Sequence, residues 1–153
     1  MATTVTAENL TVTITEQYTL NGVSYGNTMN KTYTDNGEVY QRIMAIPYNA
    51  LAVTFTDIIN FGAADDAGQA DIDNYKYFRI KNLDDTNFLT LRVTGTADSF
   101  FIKIKAGESF LLMDNEIDAV ASSTTFGAFT DISQISATPD TAEIDIEFVV
   151  VTA

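Results

Sequence analysis

The residues best placed to do chemistry in this chain are carboxylates. Asp65, Asp66, Asp71 and Asp73 fall within the segment 62–74, GAADDAGQADIDN. Carboxylate oxygens gathered in one loop suit Ca²⁺, a hard cation that takes oxygen ligands. Their spacing departs from the D-x-[DN]-x-[DN]-G pattern of an EF-hand loop, so no metal ligand is assigned. Asp84-Asp85 and Glu143-Asp145-Glu147 offer the paired acids that glycoside hydrolysis needs. The first reads as a turn pair, the second as the solvent side of a strand. There is no tryptophan to serve as a sugar platform. Glu108 follows the turn glycine Gly107 and has no second catalytic group beside it. No catalytic, cofactor-binding or metal residue is therefore assigned, and no enzyme is expected.

The absences narrow the chemistry further. The chain contains no histidine and no cysteine. The commonest general base, Ser-His-Asp and Cys-His catalysis, thiolate metal sites and disulfides are thereby excluded within it. Lys and Arg total 8 and Asp and Glu 21, so the net charge is 8 − 21 = −13. Such a surface repels phosphate backbones and anionic bilayers, so neither nucleic acid nor membrane is an expected partner. The opening MATTVTAENL has no basic segment followed by an apolar one, so no signal peptide is expected.

The elements that must position any site read as strands. A length of 153 residues, 46% hydrophobic, is enough for one domain with a core. Residues 9–20 alternate with period two, Leu10, Val12, Ile14, Tyr18 and Leu20 against a threonine-rich face. Asn21-Gly22 is a hairpin turn signal, and Asp35-Asn36-Gly37 a second turn. Further strands are expected at 38–46, 51–58, 75–82, 88–94, 98–105, 108–113 and 141–152, with 23–34 a weaker polar strand. Ala106-Gly107 is expected to close a hairpin between two of these. Residues 119–137 give no clear pattern. About eight to ten short strands and no helix predict an all-β fold, an antiparallel β-sandwich of jelly-roll type. The expected organisation is an arm, residues 1–8, before a single domain, residues 9–153.

Tyr75, Tyr77 and Phe78 lie among Lys76, Arg79 and Lys81, a basic stretch in an acidic chain. Two readings stand: a strand whose long side chains cover its own edge, or a strip that meets acidic faces of neighbouring copies.

One resemblance adds to this. YFRIKNLDDTNFLTLRV, residues 77–93, followed by FFIKIKAGESFLLMDN, residues 100–115, resembles small virion structural proteins of tailed bacteriophages, especially those of marine bacteria and cyanobacteria. The shared features are an R-I-x-N-x-D run leading to x-L-x-V, then K-x-G-E-S-F-x-L. The resemblance covers residues 75–115 and carries no functional residue over. It implies a non-enzymatic β-sandwich on the outside of a virion. A capsid decoration (cement) protein, homotrimeric and bound to the major capsid protein, is the first expectation. A tail, neck or fibre component is the second, and a carbohydrate-binding module that uses its tyrosines is a further alternative. The candidate partner contacts are Thr3 and Val5 on the arm, Asp65, Asp66 and Asp71 on the acidic loop, and Tyr75, Tyr77 and Arg79 on the basic strand.

Overall fold

A computed structural model describes residues 6–62, 70–71, 75–119 and 127–153. These residues are all-β, with no helix among them. The chain divides into two compact units, Met1–Gly37 with Ala153, and Glu38–Thr152.

The first unit holds one long hairpin. β1 (Glu8–Leu20) pairs antiparallel with β2 (Val23–Asn36) along its whole length and, among the described residues, with no other strand. The turn is Asn21-Gly22, with φ of 51° and 77°. Two consecutive positive φ values fit a two-residue turn whose twist matches the flanking strands. Near the open end one extra residue of β2 is accommodated between the Leu10–Tyr33 and Glu8–Asn36 pairs. Asp35 takes φ of 59° there, and the Asn36 side chain donates to the carbonyls of Glu8 (2.7 Å) and Tyr33 (2.8 Å). The expected turn at Asp35-Asn36-Gly37 is thus a bulge at the end of β2, with Gly37 alone separating β2 from the next strand.

The second unit is an antiparallel β-sandwich. One sheet has the order β5-β4-β11-β7-β8, with β10 also paired to β11. Its strands are β4 (Thr56–Gly62), β5 (Ala70–Asp71), β7 (Leu89–Gly95), β8 (Ser99–Ile104), β10 (Glu116–Ile117) and β11 (Thr130–Pro139). Only the short β4–β5 contact is parallel among these pairs. The other sheet has the order β3-β12-β6-β9, from β3 (Glu38–Ile46), β6 (Tyr75–Asn82), β9 (Ser109–Leu112) and β12 (Ile144–Thr152). Period two places Leu89, Leu91 and Val93 of β7 in the same interior as Ile144, Ile146, Phe148 and Val150 of β12. Phe78 and Ile80 of β6 and Ile132, Ile135 and Ala137 of β11 complete the centre of that core.

Two crossovers between the sheets form a polar corner. The stretch Ala106-Gly107 is not a hairpin: β8 pairs with β7 in one sheet, and β9 with β6 in the other. The chain changes sheet there, turning on Gly107 at φ 75° with Glu108 N–H donating to Lys105 O (3.1 Å). Phe100 and Phe110, on either side of the crossover, meet edge-on at 6.5 Å. The β6–β7 connection crosses beside it, and Asn82, fully buried, ties the two together. Its amide donates to the carbonyls of Asn87 (2.9 Å) and Ile104 (3.3 Å), and its Oδ1 accepts from Asp84 N–H (3.0 Å). Its backbone N–H reaches Glu108 O at 3.0 Å.

Candidate interaction surfaces

The hairpin of the first unit is amphipathic across its width. Register sets Leu10 opposite Tyr33, Val12 opposite Lys31, Ile14 opposite Met29, Tyr18 opposite Tyr25 and Leu20 opposite Val23. Directly paired residues share a face, so one side of the ribbon is apolar apart from Lys31 and the Glu16–Asn27 pair. The other carries Thr11, Thr13, Thr15, Gln17 and Thr19 against Thr32, Asn30, Thr28, Gly26 and Ser24. The apolar side is open towards the turn: Tyr18 is 59% exposed, Leu20 58%, Val23 53% and Met29 54%. Tyr18 and Tyr25 stack at 5.3 Å, and Lys31 Nζ lies 5.5 Å from the Tyr33 ring. Gly26 belongs to this construction, since a Cβ there would collide with the backbone carbonyl of Glu16.

Residues 9–20 were expected as a strand within a single sandwich domain over 9–153, yet β1 joins neither sheet of the sandwich. The physical reason is local. A tight turn between two long alternating runs satisfies the inner edges of both strands, and each finds its partner next to it in sequence. One signal in the sequence pointed this way. Strands of 13 and 14 residues on either side of Asn-Gly are more than twice the usual strand length.

The residues expected to meet a partner are distributed otherwise. Thr3, Val5, Asp65 and Asp66 lie outside the described residues. Asp71 falls on β5. Tyr75 is 1% exposed and packs in the core, tilted against Phe61 at 4.9 Å, with its hydroxyl donating to Leu112 O (3.4 Å). Tyr77 is 6% exposed, and burial pushes its phenol above the ordinary tyrosine range against the opposing pull of Arg79. Neither ring is at the surface, which corrects their place in a contact strip. For Tyr75 the cause is a register shift beside it. It turns that ring inward with Phe78 and Ile80, out of step with the simple alternation. Arg79 remains partly exposed and makes an ion pair with Glu147 across the β6–β12 pair at 2.7 Å.

The paired acids divide in the same way. Asp84, Asp85, Glu143 and Asp145 border a shallow cleft of about 350 Å³ together with Leu83. Asp84 Oδ1 accepts from the N–H groups of Thr86 (2.8 Å) and Asn87 (2.6 Å). Those bonds from Asn87 and Thr86 hold its carboxyl below the usual aspartate range. A glycosidase acid needs the opposite shift, so Asp84 is built as a turn acceptor. Glu147 is likewise lowered, first by its hydrogen bond from Arg79 and then by the charge of that guanidinium. No group of three acids placed to hold a metal occurs among the described residues.

Two smaller features lie on the sandwich. The segment 51–55, expected to begin a strand, is a loop that leaves Leu51 97% and Val53 82% exposed. Asn49 Oδ1 accepts from Leu51 N–H (3.0 Å) and shapes its start. On the outer side of β7 and β11, Arg92 donates to Ser136 Oγ (2.9 Å) and Gln134 Oε1 (3.0 Å). It also lies 4.5 Å from the Phe55 ring, which in turn tilts against the exposed Phe101 at 5.8 Å. This Arg92 network closes on neutral acceptors and a ring, and presents one aromatic edge to solvent.

No known protein family, curated protein or solved structure matches the chain.

Proposed function

We propose that this is a non-enzymatic structural protein that works by burying its amphipathic hairpin against another protein surface. The observation that carries the reading is the apolar surface left open on the turn half of the β1–β2 ribbon, at Tyr18, Leu20, Val23, Tyr25 and Met29. An isolated two-stranded hairpin is marginal in water, and contiguous exposed apolar surface marks interaction sites. A ribbon of this length is supported when a partner supplies the missing layer.

The resemblance of residues 75–115 to phage virion proteins gives the reading its context: a component of a tailed-phage particle, first a capsid decoration protein on the head exterior. The partner in that reading is the major capsid protein. Each bound copy would stabilise the assembled shell by linkage, because it binds the assembled state alone. The tail or neck is the second location, and the ribbon serves there equally well as a docking arm.

Immunogold labelling of intact particles, from a lysate that contains the protein, tests this. Label over the heads is the expected result. Label confined to tails moves the protein to the second location. Its recovery only in the particle-free fraction would overturn the virion reading.

A further inference from the structure

The edge strand β3 of the sandwich is long, regular and open, and we infer that a second copy of this chain pairs with it. β3 of one copy lies antiparallel beside β3 of the other, about a two-fold axis perpendicular to the sheet at Gln41. The two four-stranded sheets then become one continuous sheet. This contact belongs to the sandwich and goes beyond the docking of the ribbon.

The contrast among the edges carries the inference. Among the described residues the two strand orders end at β5 and β8, and at β3 and β9. An exposed edge offers unpaired N–H and C=O groups to any extended chain, and folded proteins keep such edges short or place lysine or proline on them. β5 has 2 residues, β9 has 4 and β8 has 6, and β8 carries the exposed Lys103. β3 has 9 residues, pairs with β12 without a register shift, and contains neither lysine nor proline. Its outer side is Val39, Gln41, Ile43 and Ala45, opposite Val151, Val149, Glu147 and Asp145 of β12. Val39 is 66% and Ile43 67% exposed. Two β-branched residues thus stand on a strand with one neighbour, and a strand on the other side would cover both.

Side-chain pairing identifies that strand as another β3. With the axis at Gln41, Val39 of each copy lies opposite Ile43 of the other, and the two Gln41 amides face each other. Arg42 lies on the core-facing side, opposite Phe148 of β12, and is exposed. Its guanidinium has no carboxylate partner among the described residues. A charge on that side of an edge excludes strands that cannot answer it. The axis brings Arg42 opposite the partner's Tyr40 and diagonal to the partner's Glu38, whose carboxylate accepts from the Tyr40 hydroxyl at 2.6 Å. A ring and a carboxylate together suit a guanidinium, and a diagonal of about 7–8 Å is within reach of long side chains. Other registers lose these pairings. Sliding two residues towards fuller overlap sets Arg42 against Arg42 of the other copy, and like charges directly opposite are destabilising. Sliding two residues the other way puts Val39 opposite Gln41 and Ile43 opposite Gly37. The favoured register pairs residues 38–44 of each copy. That contact is small beside the roughly 1,000 Å² of a stable interface, so the pair is concentration-dependent, with half-association at roughly 100 μM.

The test is sedimentation equilibrium of the full chain from about 10 μM to about 1 mM, with a charge exchange. V39E and I43K each set a charge opposite an aliphatic side chain at both paired sites, and each is expected to weaken dimerisation about tenfold. In an equimolar mixture of the two variants, one site becomes Glu opposite Lys and the other stays Val opposite Ile. The mixture is expected to associate as the unaltered chain does, as is the double variant V39E/I43K. Far-ultraviolet circular dichroism of each variant confirms that the strands are retained. Because the chain has no cysteine, a single introduced one reports the axis. Under mild oxidation Q41C is expected to cross-link to its own copy, whereas A45C, on the same side of β3 but opposite Gly37, is not. Dimerisation weakened in each single variant and recovered in the mixture, with cross-linking at position 41 alone, supports the pair. A chain that stays monomeric at about 1 mM, an association indifferent to both substitutions, a loss that the mixture does not recover, or equal cross-linking at 41 and 45 overturns it. None of those results touches the virion reading, which the particle labelling tests separately.

Discussion

The ribbon and the sandwich use the same kind of sequence to opposite ends. Both are alternating strands with threonine and charged residues on one side and aliphatic or aromatic residues on the other. In the sandwich, β7 and β12 turn their apolar sides towards each other, and Leu91 and Ile146 are fully buried. In the ribbon, Leu20 and Met29 occupy equivalent positions in the alternation and are more than half exposed. Alternation thus specifies which residues share a face, but not what lies against it. The second property comes from topology. Strands that cross between two sheets enclose a core, whereas a hairpin paired only with itself keeps an open side.

The largest effect should come from testing that difference directly. Leu91→Ala is expected to lower sandwich stability by about 2–5 kcal/mol, the usual range for truncating a buried leucine. Leu20→Ala removes the same atoms from an exposed position and is expected to change stability by less than about 0.5 kcal/mol in dilute solution. Urea unfolding followed by tyrosine fluorescence measures both. Equal losses would mean that Leu20 is covered within the monomer, and the contrast between the units would disappear.

Next in size is the corner that makes the sandwich a closed structure. Asn82→Leu keeps the approximate volume but leaves Asn87 O, Ile104 O and Asp84 N–H without their side-chain partner. Orphaning buried polar groups is expected to destabilise by about 1–3 kcal/mol. Proteolysis should then begin in the residue 83–88 connection. A stability unchanged within error would show that water substitutes for the Asn82 amide, and that the corner does not depend on it.

The corner also explains what was legible in the sequence. Arg79, Ile80, Asn82 and Asp84 are the R-I-x-N-x-D run on which the resemblance was based. Each has a building role: ion pair, core, crossover tie and turn acceptor. β6 was readable to the residue, its apolar and basic run ending at the crossover tie Asn82. β11, a central strand, was not readable. Its pairs shift register between Ile132 and Gln134 and again between Ile135 and Ser136. Two irregularities within TDISQISATP erase the period-two signal, and its outward serines and glutamine look like loop composition. Leu51 and Val53 misled in the reverse sense, as apolar residues that alternate yet lie in a loop. The ribbon's apolar face was visible as a pattern, but the exposure of its turn half is a long-range property that no local window contains.

A third expectation concerns the ribbon alone. Gly26→Ala drives a methyl group into the Glu16 carbonyl without altering the apolar face. Amide exchange should accelerate around Glu16, Gln17 and Gly26, with the sandwich amides unaffected, because the two units are compact separately. Faster exchange in β7 or β12 would show that the units unfold together.

The smallest effect is electrostatic and belongs to the sandwich corner. Asp84 has a folded carboxyl pKa below its unfolded value. A depressed pKa contributes stability at pH above the unfolded value, and that contribution fades as pH falls through the folded one. The window therefore lies below about pH 4, the ordinary aspartate range. Asp84→Asn preserves an acceptor oxygen for the Thr86 and Asn87 N–H groups while removing the charge. The unaltered protein should be slightly more stable than this variant at pH 7, and the two should converge as pH falls towards 2. Added salt should narrow the gap at neutral pH, because the site is solvent-facing. Parallel curves with a constant offset down to pH 2 would assign the effect to lost hydrogen-bond geometry. The ionisation of Asp84 would then have no part in holding the corner.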